Sequence, residues 1–137
     1  TTITADLVLN PVEDVVILAE LNTIYFDFDK HNIRPDAALE LDKIVKLMNE
    51  TYPGMVIRIE SHTDSRGTLT YNDKLSIDRA NSTYEYIVSQ GVDASRITEH
   101  EGFGERRLTN GCDGSVNCEE DNHQLNRRTE FIVIQMK

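Results

Sequence analysis

An aspartate and an arginine, Asp64 and Arg79, have the residue types and the spacing to hold a small charged ligand. Asp64 lies in a polar segment, residues 61–67, that follows a run of β-branched residues, and Arg79 comes 15 residues later in a stretch with helical periodicity. Ligand sites in open α/β sheets form just beyond the carboxyl ends of strands. A carboxylate and a guanidinium that converge there suit a zwitterionic amino-acid head group. A plain salt bridge between the two side chains explains the same spacing equally well.

Strand and helix patterns alternate along the chain and must position these residues. Ile24, Phe26 and Phe28 alternate with polar residues, which predicts a first, half-buried strand with these three side chains inward. A helix is predicted to begin at Pro35 and to end before Pro53. Periodicity predicts the remaining elements as a strand over 55–60, a helix over about 72–90, and strands over 97–103 and 129–134.

The order β-α-β-α-β-β predicts an α/β (α+β) fold, a two-layer sandwich in which a mixed four-stranded sheet carries its helices on one face. Because no helix separates the last two strands, at least one strand pair is expected to run antiparallel. Residues 1–22 are interpreted as a lead-in or linker segment, and residues 23–137 as one domain.

The N-terminus has neither the basic nor the apolar region of a signal peptide. We therefore expect a fragment of a longer protein or, alternatively, a chain from which a signal peptide has been removed. No apolar run approaches the roughly 20 residues that a membrane-spanning helix needs.

The formal net charge of −10 argues against nucleic acid as a partner, since phosphate backbones are bound by basic surfaces. Solubility explains the acidity without a functional role. If the acidity is functional, it favours partners that carry an ammonium group.

Two cysteines, Cys112 and Cys118, lie in a segment rich in Gly, Asn, Asp and Ser. The closeness of the two cysteines in one loop predicts a disulfide between them, and a disulfide implies an oxidising compartment. Two free thiols in a reducing compartment are the alternative. A structural zinc site needs two further ligands that the sequence does not supply at recognisable spacing.

Several motifs occur in an order typical of one family. The sequence contains His-Thr-Asp-Ser-Arg-Gly at 62–67, Tyr-Asn-Asp-Lys-Leu-Ser at 71–76, Arg-Ala at 79–80, Gly-Phe-Gly-Glu at 102–105 and Asn-Arg-Arg at 126–128. Residues 23–137 therefore resemble the OmpA C-terminal-like domain, which peptidoglycan-associated lipoproteins and flagellar stator proteins share. The resemblance implies the OmpA-like fold.

In that family the domain binds peptidoglycan without cutting it and holds the diaminopimelate of the stem peptide. The resemblance therefore implies a non-catalytic cell-wall anchor with no cofactor and no metal. It also implies a place in the periplasm of a Gram-negative bacterium, as part of a protein of the outer membrane. The contacts that it implies are Asp64 and Arg79 as the principal pair, Asn72 as an amide partner, Arg127 on the far wall of the cleft, and Asp29 as a further polar contact. Arg66 occupies a variable position of the first motif, so the resemblance implies no role for it.

Other functions remain as alternatives. An enzyme is disfavoured because the sequence has no Gly-x-Ser-x-Gly elbow, no His-Glu-x-x-His and no P-loop, although a metal hydrolase built on His62, Asp64 and His123 can be constructed. Acidic residues around 113–121 could bind calcium, but their spacing matches no EF-hand and favours a solvated loop. A module that uses the fold only for protein interaction would not need both Asp64 and Arg79.

Overall fold

The computed structural model describes residues 2–3 and 21–136, and the element order follows the predicted pattern. The strands and helices are β1 (Thr2–Ile3), β2 (Ile24–Tyr25), α1 (Pro35–Lys46), β3 (Val56–Ser61), α2 (Leu69–Ser89), β4 (Ile97–Gly102), α3 (Glu120–Gln124) and β5 (Arg128–Gln135). A π-helical turn, Leu47–Thr51, extends α1, and a 3-10 turn, Ala94–Arg96, precedes β4. None of the helices in this described part of the chain is long and apolar enough to cross a membrane.

The sheet is mixed, with the order β1-β5-β3-β4, and β2 also pairs with β5. β3 and β4 run parallel, whereas β5 runs antiparallel to β3 and to β2. The expected antiparallel pairing is confirmed, but β5 pairs with β3 instead of its predecessor β4. The connection after β4 is long enough to carry the chain past β3 to the opposite edge of that strand.

The predicted α+β architecture, with helices packed on one face of a mixed sheet, is confirmed. β3 and β5 place alternate side chains into one core, since Ile57 lies opposite Val133 and Ile59 opposite Phe131. Side chains from both long helices complete this core, among them Leu41, Ile44, Met48 and Ile87. Removal of this apolar surface from water is the main stabilising contribution, at roughly 25 cal/mol per Å².

α2 begins three residues earlier than predicted, because Thr68 caps its first turn. The Thr68 hydroxyl accepts a hydrogen bond of 3.1 Å from the backbone N–H of Tyr71. At the other end Gly91 has φ +101°, the left-handed conformation expected of a residue that terminates a helix.

The C-terminal end of β4 packs closely against α2 at Gly102. A Cβ atom at this position would overlap the backbone nitrogen of Ile77 and the hydroxyl of Ser76. The same hydroxyl accepts a hydrogen bond of 2.9 Å from the N–H of Gly104. The glycine therefore brings the chain after β4 against the helix that carries Arg79.

The predicted inward position of Phe28 is wrong. β2 ends at Tyr25, and a turn closed by the N–H of Lys30 on the carbonyl of Asp27 follows it. Asp29 in this turn has φ +59°. Because the turn ends the alternation, Phe26 is fully buried while Phe28 is 52% exposed.

The predicted disulfide is confirmed, since Cys112 and Cys118 are bonded with their Cα atoms 5.9 Å apart. The interpretation of residues 1–22 as a lead-in falls largely on residues 4–20, which lie outside the described part of the chain. Thr2–Ile3 pair with β5, and Leu21 is buried in the core. The division at residue 22 stays a prediction.

Candidate ligand-binding cleft

A cleft with an empty volume of about 350 Å³ lies beyond the carboxyl end of β3, beside the first turns of α2. All five residues predicted for the site line this cleft, together with Arg66. The charged and amide side chains that line it are therefore Asp29, Asp64, Arg66, Asn72, Arg79 and Arg127. Three guanidinium groups and two carboxylates therefore meet in one cleft of a strongly acidic chain. Such a surface can pair with both ends of a zwitterion.

Asp64 lies in the loop that follows β3, and its carboxylate is almost fully buried. Its Oδ1 atom accepts the backbone N–H of Arg66 at 3.0 Å. Its Oδ2 atom accepts Nη2 of Arg66 at 2.8 Å and Nη1 of Arg127 at 3.1 Å. Two guanidinium groups therefore share one carboxylate.

Burial alone would raise the pKa of the Asp64 carboxyl. The hydrogen bonds from Arg66 and Arg127 outweigh burial, so the pKa lies below its usual range. Asp64 is consequently a carboxylate at neutral pH and can attract an ammonium group.

Arg79 is fully buried and is held by backbone carbonyl groups. Its Nε donates to Lys30 at 2.8 Å, Nη1 to His62 at 3.1 Å and Nη2 to Asp27 at 3.1 Å. Among the described residues the ion-pair partners of Asp64 are Arg66 and Arg127 rather than Arg79. The alternative of a plain salt bridge between Asp64 and Arg79 is therefore not the arrangement that the structure has.

Each terminal nitrogen of Arg79 has a second N–H that donates to no described residue. Burial, together with the charge of Arg127, lowers the pKa of Arg79 to about 10, while Asp64 and Asp29 act in the opposite direction. The guanidinium stays protonated at neutral pH. It is a fixed, partly uncommitted cation on the wall of the cleft.

Arg127 comes from the segment just before β5 and is equally fixed. Nε donates to the carbonyl of Phe26 at 2.9 Å, and Nη2 donates to Glu120 at 2.6 Å and to Gln124 at 2.8 Å. Together with its bond to Asp64, these contacts use every nitrogen of the side chain. Arg127 therefore joins α3 to the cleft and holds Asp64 in place.

Asn72 acts on the loop that carries Asp64. Its amide nitrogen donates to the carbonyls of Asp64 at 3.3 Å and Arg66 at 3.1 Å, and to the Glu105 carboxylate at 3.1 Å. Asp29 is exposed at the cleft rim, where its charge acts on Arg79.

Arg66 is the most exposed of the three guanidinium side chains, at 35% against 3% for Arg127. Besides Asp64 it contacts the carboxylate of Glu120, with Nη1 and Oε2 3.1 Å apart. Its guanidinium carbon lies 4.2 Å from the centre of the Phe28 ring. Arg66 thus bridges the cleft mouth from Asp64 to Glu120 and Phe28.

Comparison with known proteins agrees with this architecture. The OmpA family model matches residues 25–121, which is more than half of the chain. The chain belongs to the OmpA family. Outer membrane porin F of Pseudomonas fluorescens is 36% identical over 118 residues, 86% of this chain and 34% of the porin. The peptidoglycan-associated lipoprotein of Rhizobium meliloti is 37% identical over 101 residues, 74% of this chain and 56% of the lipoprotein.

The structure of the peptidoglycan-associated lipoprotein from Burkholderia pseudomallei has the same fold, with a TM-score of 0.71 at 24% identity. The similarity covers 81% of this chain and 88% of that one. Across five curated relatives this chain spans between 14% and 56% of the relative's own length. The OmpA-family domain is thus a part of proteins that are otherwise larger.

The sequence of α2 contains a further signal for this OmpA-family cleft. α2 buries four polar side chains at helical spacing on one face, namely Asn72, Ser76, Arg79 and Thr83. A polar stripe beside the apolar stripe of the same helix indicates a buried polar network. Phe28 had no comparable signal, because its position depends on the turn that follows β2. Glu120 had none either, because it reaches Arg66 from α3, a helix of only five residues.

His62, the residue after β3, has a packing role in this OmpA-family domain. Its ring is stacked on Phe103 with centroids 5.6 Å apart, and Nε2 lies 3.4 Å from Oε1 of Glu130 without a well-directed hydrogen bond. Within residues 2–3 and 21–136, no group of three or more His, Cys, Asp and Glu side chains could hold a metal ion. The arrangement around His62 is that of packing.

Proposed function

We propose that this OmpA-family domain binds peptidoglycan non-covalently, through the diaminopimelate of the stem peptide. The carrying observation is that Asp64 and Arg79, opposite in charge and both fixed, line one cleft at the end of β3. The ammonium of the free diaminopimelate centre would pair with Asp64, and its carboxylate with the uncommitted N–H groups of Arg79. Asn72, Arg127 and Asp29 would complete the contacts.

The surroundings of Arg79 support the proposed selectivity for diaminopimelate over lysine. Lysine offers the same ammonium but no free carboxylate at that end. Lysine would leave the spare N–H groups of the buried Arg79 unpaired, whereas the diaminopimelate carboxylate would accept them. An unpaired buried polar group costs about 1–3 kcal/mol, more for a charged one. A cost of that size is sufficient to discriminate between the two amino acids.

We further propose that the domain anchors an outer-membrane protein to the cell wall and lies in the periplasm of a Gram-negative bacterium. The names of the relatives, an outer membrane porin and a peptidoglycan-associated lipoprotein, support this location. The Cys112–Cys118 disulfide supports an oxidising compartment. The domain is proposed to act without catalysis, because the described residues of the cleft offer opposite charges that suit binding.

Sedimentation with purified cell-wall sacculi tests the proposal. The domain is expected to pellet with sacculi whose stem peptides contain diaminopimelate, and to stay largely in solution with sacculi that contain lysine at that position. Equal pelleting with both kinds would contradict recognition of the diaminopimelate centre. No pelleting with either would contradict wall binding altogether.

A further inference from the structure

The two guanidinium groups that hold Asp64 differ in how firmly they are themselves held. Arg127 is buried and donates to four different residues, so it cannot leave without breaking contacts to the backbone and to α3. Arg66 is partly exposed, and its side-chain partners are surface groups apart from Asp64. If one of the two cations leaves Asp64, it is Arg66.

The Oδ2 atom of Asp64 already accepts from Nε and Nη2 of Arg66 and from Nη1 of Arg127. An incoming ammonium group would be a third cation at a single carboxylate. Its approach to Oδ2 requires that one guanidinium give up its bonds, because three N–H groups already surround that oxygen and the two guanidinium charges repel a third cation.

We propose that Arg66 occupies the ammonium position at Asp64 when the cleft is empty, and that a ligand ammonium must displace it to bind. Arg66 is thus a specificity-determining residue that competes with the ligand from within the chain. This inference rests on the proposed function, since it assigns Asp64 as the ammonium partner.

After displacement from Asp64, the Arg66 side chain can keep its other contacts at the cleft mouth. Oε2 of Glu120 lies 3.1 Å from Nη1 of Arg66, and the Glu120 side chain is 57% exposed. The Phe28 ring lies against the same guanidinium. Arg66 can therefore release Asp64 without losing all of its charge compensation or its aromatic contact. Release is a short movement rather than an unfolding of the loop, because the backbone N–H of Arg66 keeps its bond to Oδ1 of Asp64.

Competition from Arg66 lowers the affinity of the cleft for the ligand. A surface ion pair contributes roughly 0.2–1 kcal/mol, which corresponds to a change of up to about fivefold in a dissociation constant. The ligand gains that amount of affinity when Arg66 is removed.

Calorimetric titration with the tripeptide L-alanyl-γ-D-glutamyl-meso-diaminopimelate tests the inference on the whole chain. Arg66→Gln is expected to bind the tripeptide more tightly than the wild type, by up to about fivefold. Arg107→Gln is the matched control, because Arg107 also pairs with a glutamate, Glu60, and also lies over an aromatic ring, Phe103, but does so outside the cleft. The control is expected to bind as the wild type does.

A readout without ligand accompanies the titration. The pKa of the Asp64 carboxyl, measured by NMR, should rise in Arg66→Gln and stay unchanged in Arg107→Gln. An unchanged Asp64 pKa in Arg66→Gln would show that Arg66 does not occupy the carboxylate in solution, and the inference would be wrong.

The binding outcomes separate this inference from the proposed function. Weaker or equal binding by Arg66→Gln, with binding by the wild type and loss of binding in Asp64→Asn, overturns the role of Arg66 and leaves the cleft assignment standing. Absence of tripeptide binding in both the wild type and Arg66→Gln overturns both.

Discussion

Nη1 of Arg79 donates a 3.1 Å hydrogen bond to the carbonyl of His62, two residues before Asp64. The buried cation of the cleft thereby holds the strand end from which the buried anion extends. The two residues predicted to recognise a ligand are coupled through the backbone and not by a salt bridge. This coupling decides which substitutions can test the site.

Arg79→Met should destabilise the domain by about 3 kcal/mol, since three hydrogen bonds to backbone carbonyls are lost at roughly 1 kcal/mol each. The free energy of unfolding in urea measures this. Arg79→Lys keeps the charge and serves as the comparison for binding. A free energy for Arg79→Met equal to that of the wild type would contradict a role in holding the two loops.

Asp64→Asn is the sharper test of ligand recognition, because the amide has nearly the same shape as the carboxylate but carries no charge. It is expected to reduce sedimentation with diaminopimelate-type sacculi at least tenfold, as the ammonium loses its counter-ion. Circular dichroism and a thermal melt show whether the fold is kept. Undiminished sedimentation by a folded Asp64→Asn would remove Asp64 from the binding site.

Gly102→Ala should destabilise the domain by about 1–3 kcal/mol, because the added methyl group has no space between β4 and α2. Gly111→Ala is its control, since nothing lies within 4 Å of a Cβ atom there. Chemical denaturation of both variants measures the difference. Equal stability of the two would mean that β4 and α2 can separate at little cost.

The lowered pKa of Glu130 predicts that the domain loses stability in acid. The His62 ring and the charge of Arg128 lower the pKa of Glu130 to about 2, against the opposing effect of burial. A carboxyl whose pKa is lower in the folded than in the unfolded state stabilises the fold above its unfolded pKa of 4.5, and that stabilisation is lost as the pH falls toward 2. The unfolding free energy of the wild type should therefore fall more steeply between pH 4.5 and pH 2 than that of Glu130→Gln. Parallel curves for the two proteins would be inconsistent with this titration.

Replacement of both Cys112 and Cys118 by Ser should lower the free energy of unfolding by about 2 kcal/mol, the value that chain entropy gives for a loop this short. Titration of the unfolded, unreduced wild type should find no reactive thiol. Two reactive thiols would show that the bond does not form in the isolated protein.

Much of the domain was predictable because its signals are local. Periodicity located both long helices and the strands that build the core, and the motif order placed Asp64, Arg79, Asn72, Arg127 and Asp29 in one site, which the structure brings to one cleft. Spacing within a loop was sufficient to predict the disulfide.

The unpredicted features depend on contacts between distant segments. The alternation of Ile24 and Phe26 continues to Phe28 in sequence, but the turn at Asp27–Lys30 is set by Arg79, which binds two of its carbonyls from α2. Nothing local indicates that Asp64 pairs with Arg127, because 63 residues separate them. The position of β5 beside β3 likewise depends on a long connection whose path has no periodic signal.

The hydrogen bonds from the Arg79 guanidinium to backbone carbonyls also have a mechanical consequence. The proposed cell-wall anchor would work under tension, and a bound ligand would then pull on the side chains that hold it. A pull on Arg79 is passed to Asp27, Lys30 and His62, which belong to two backbone segments far apart in sequence. Such a load is shared by three hydrogen bonds, so Arg79 should hold its position under a larger force than a side chain without them.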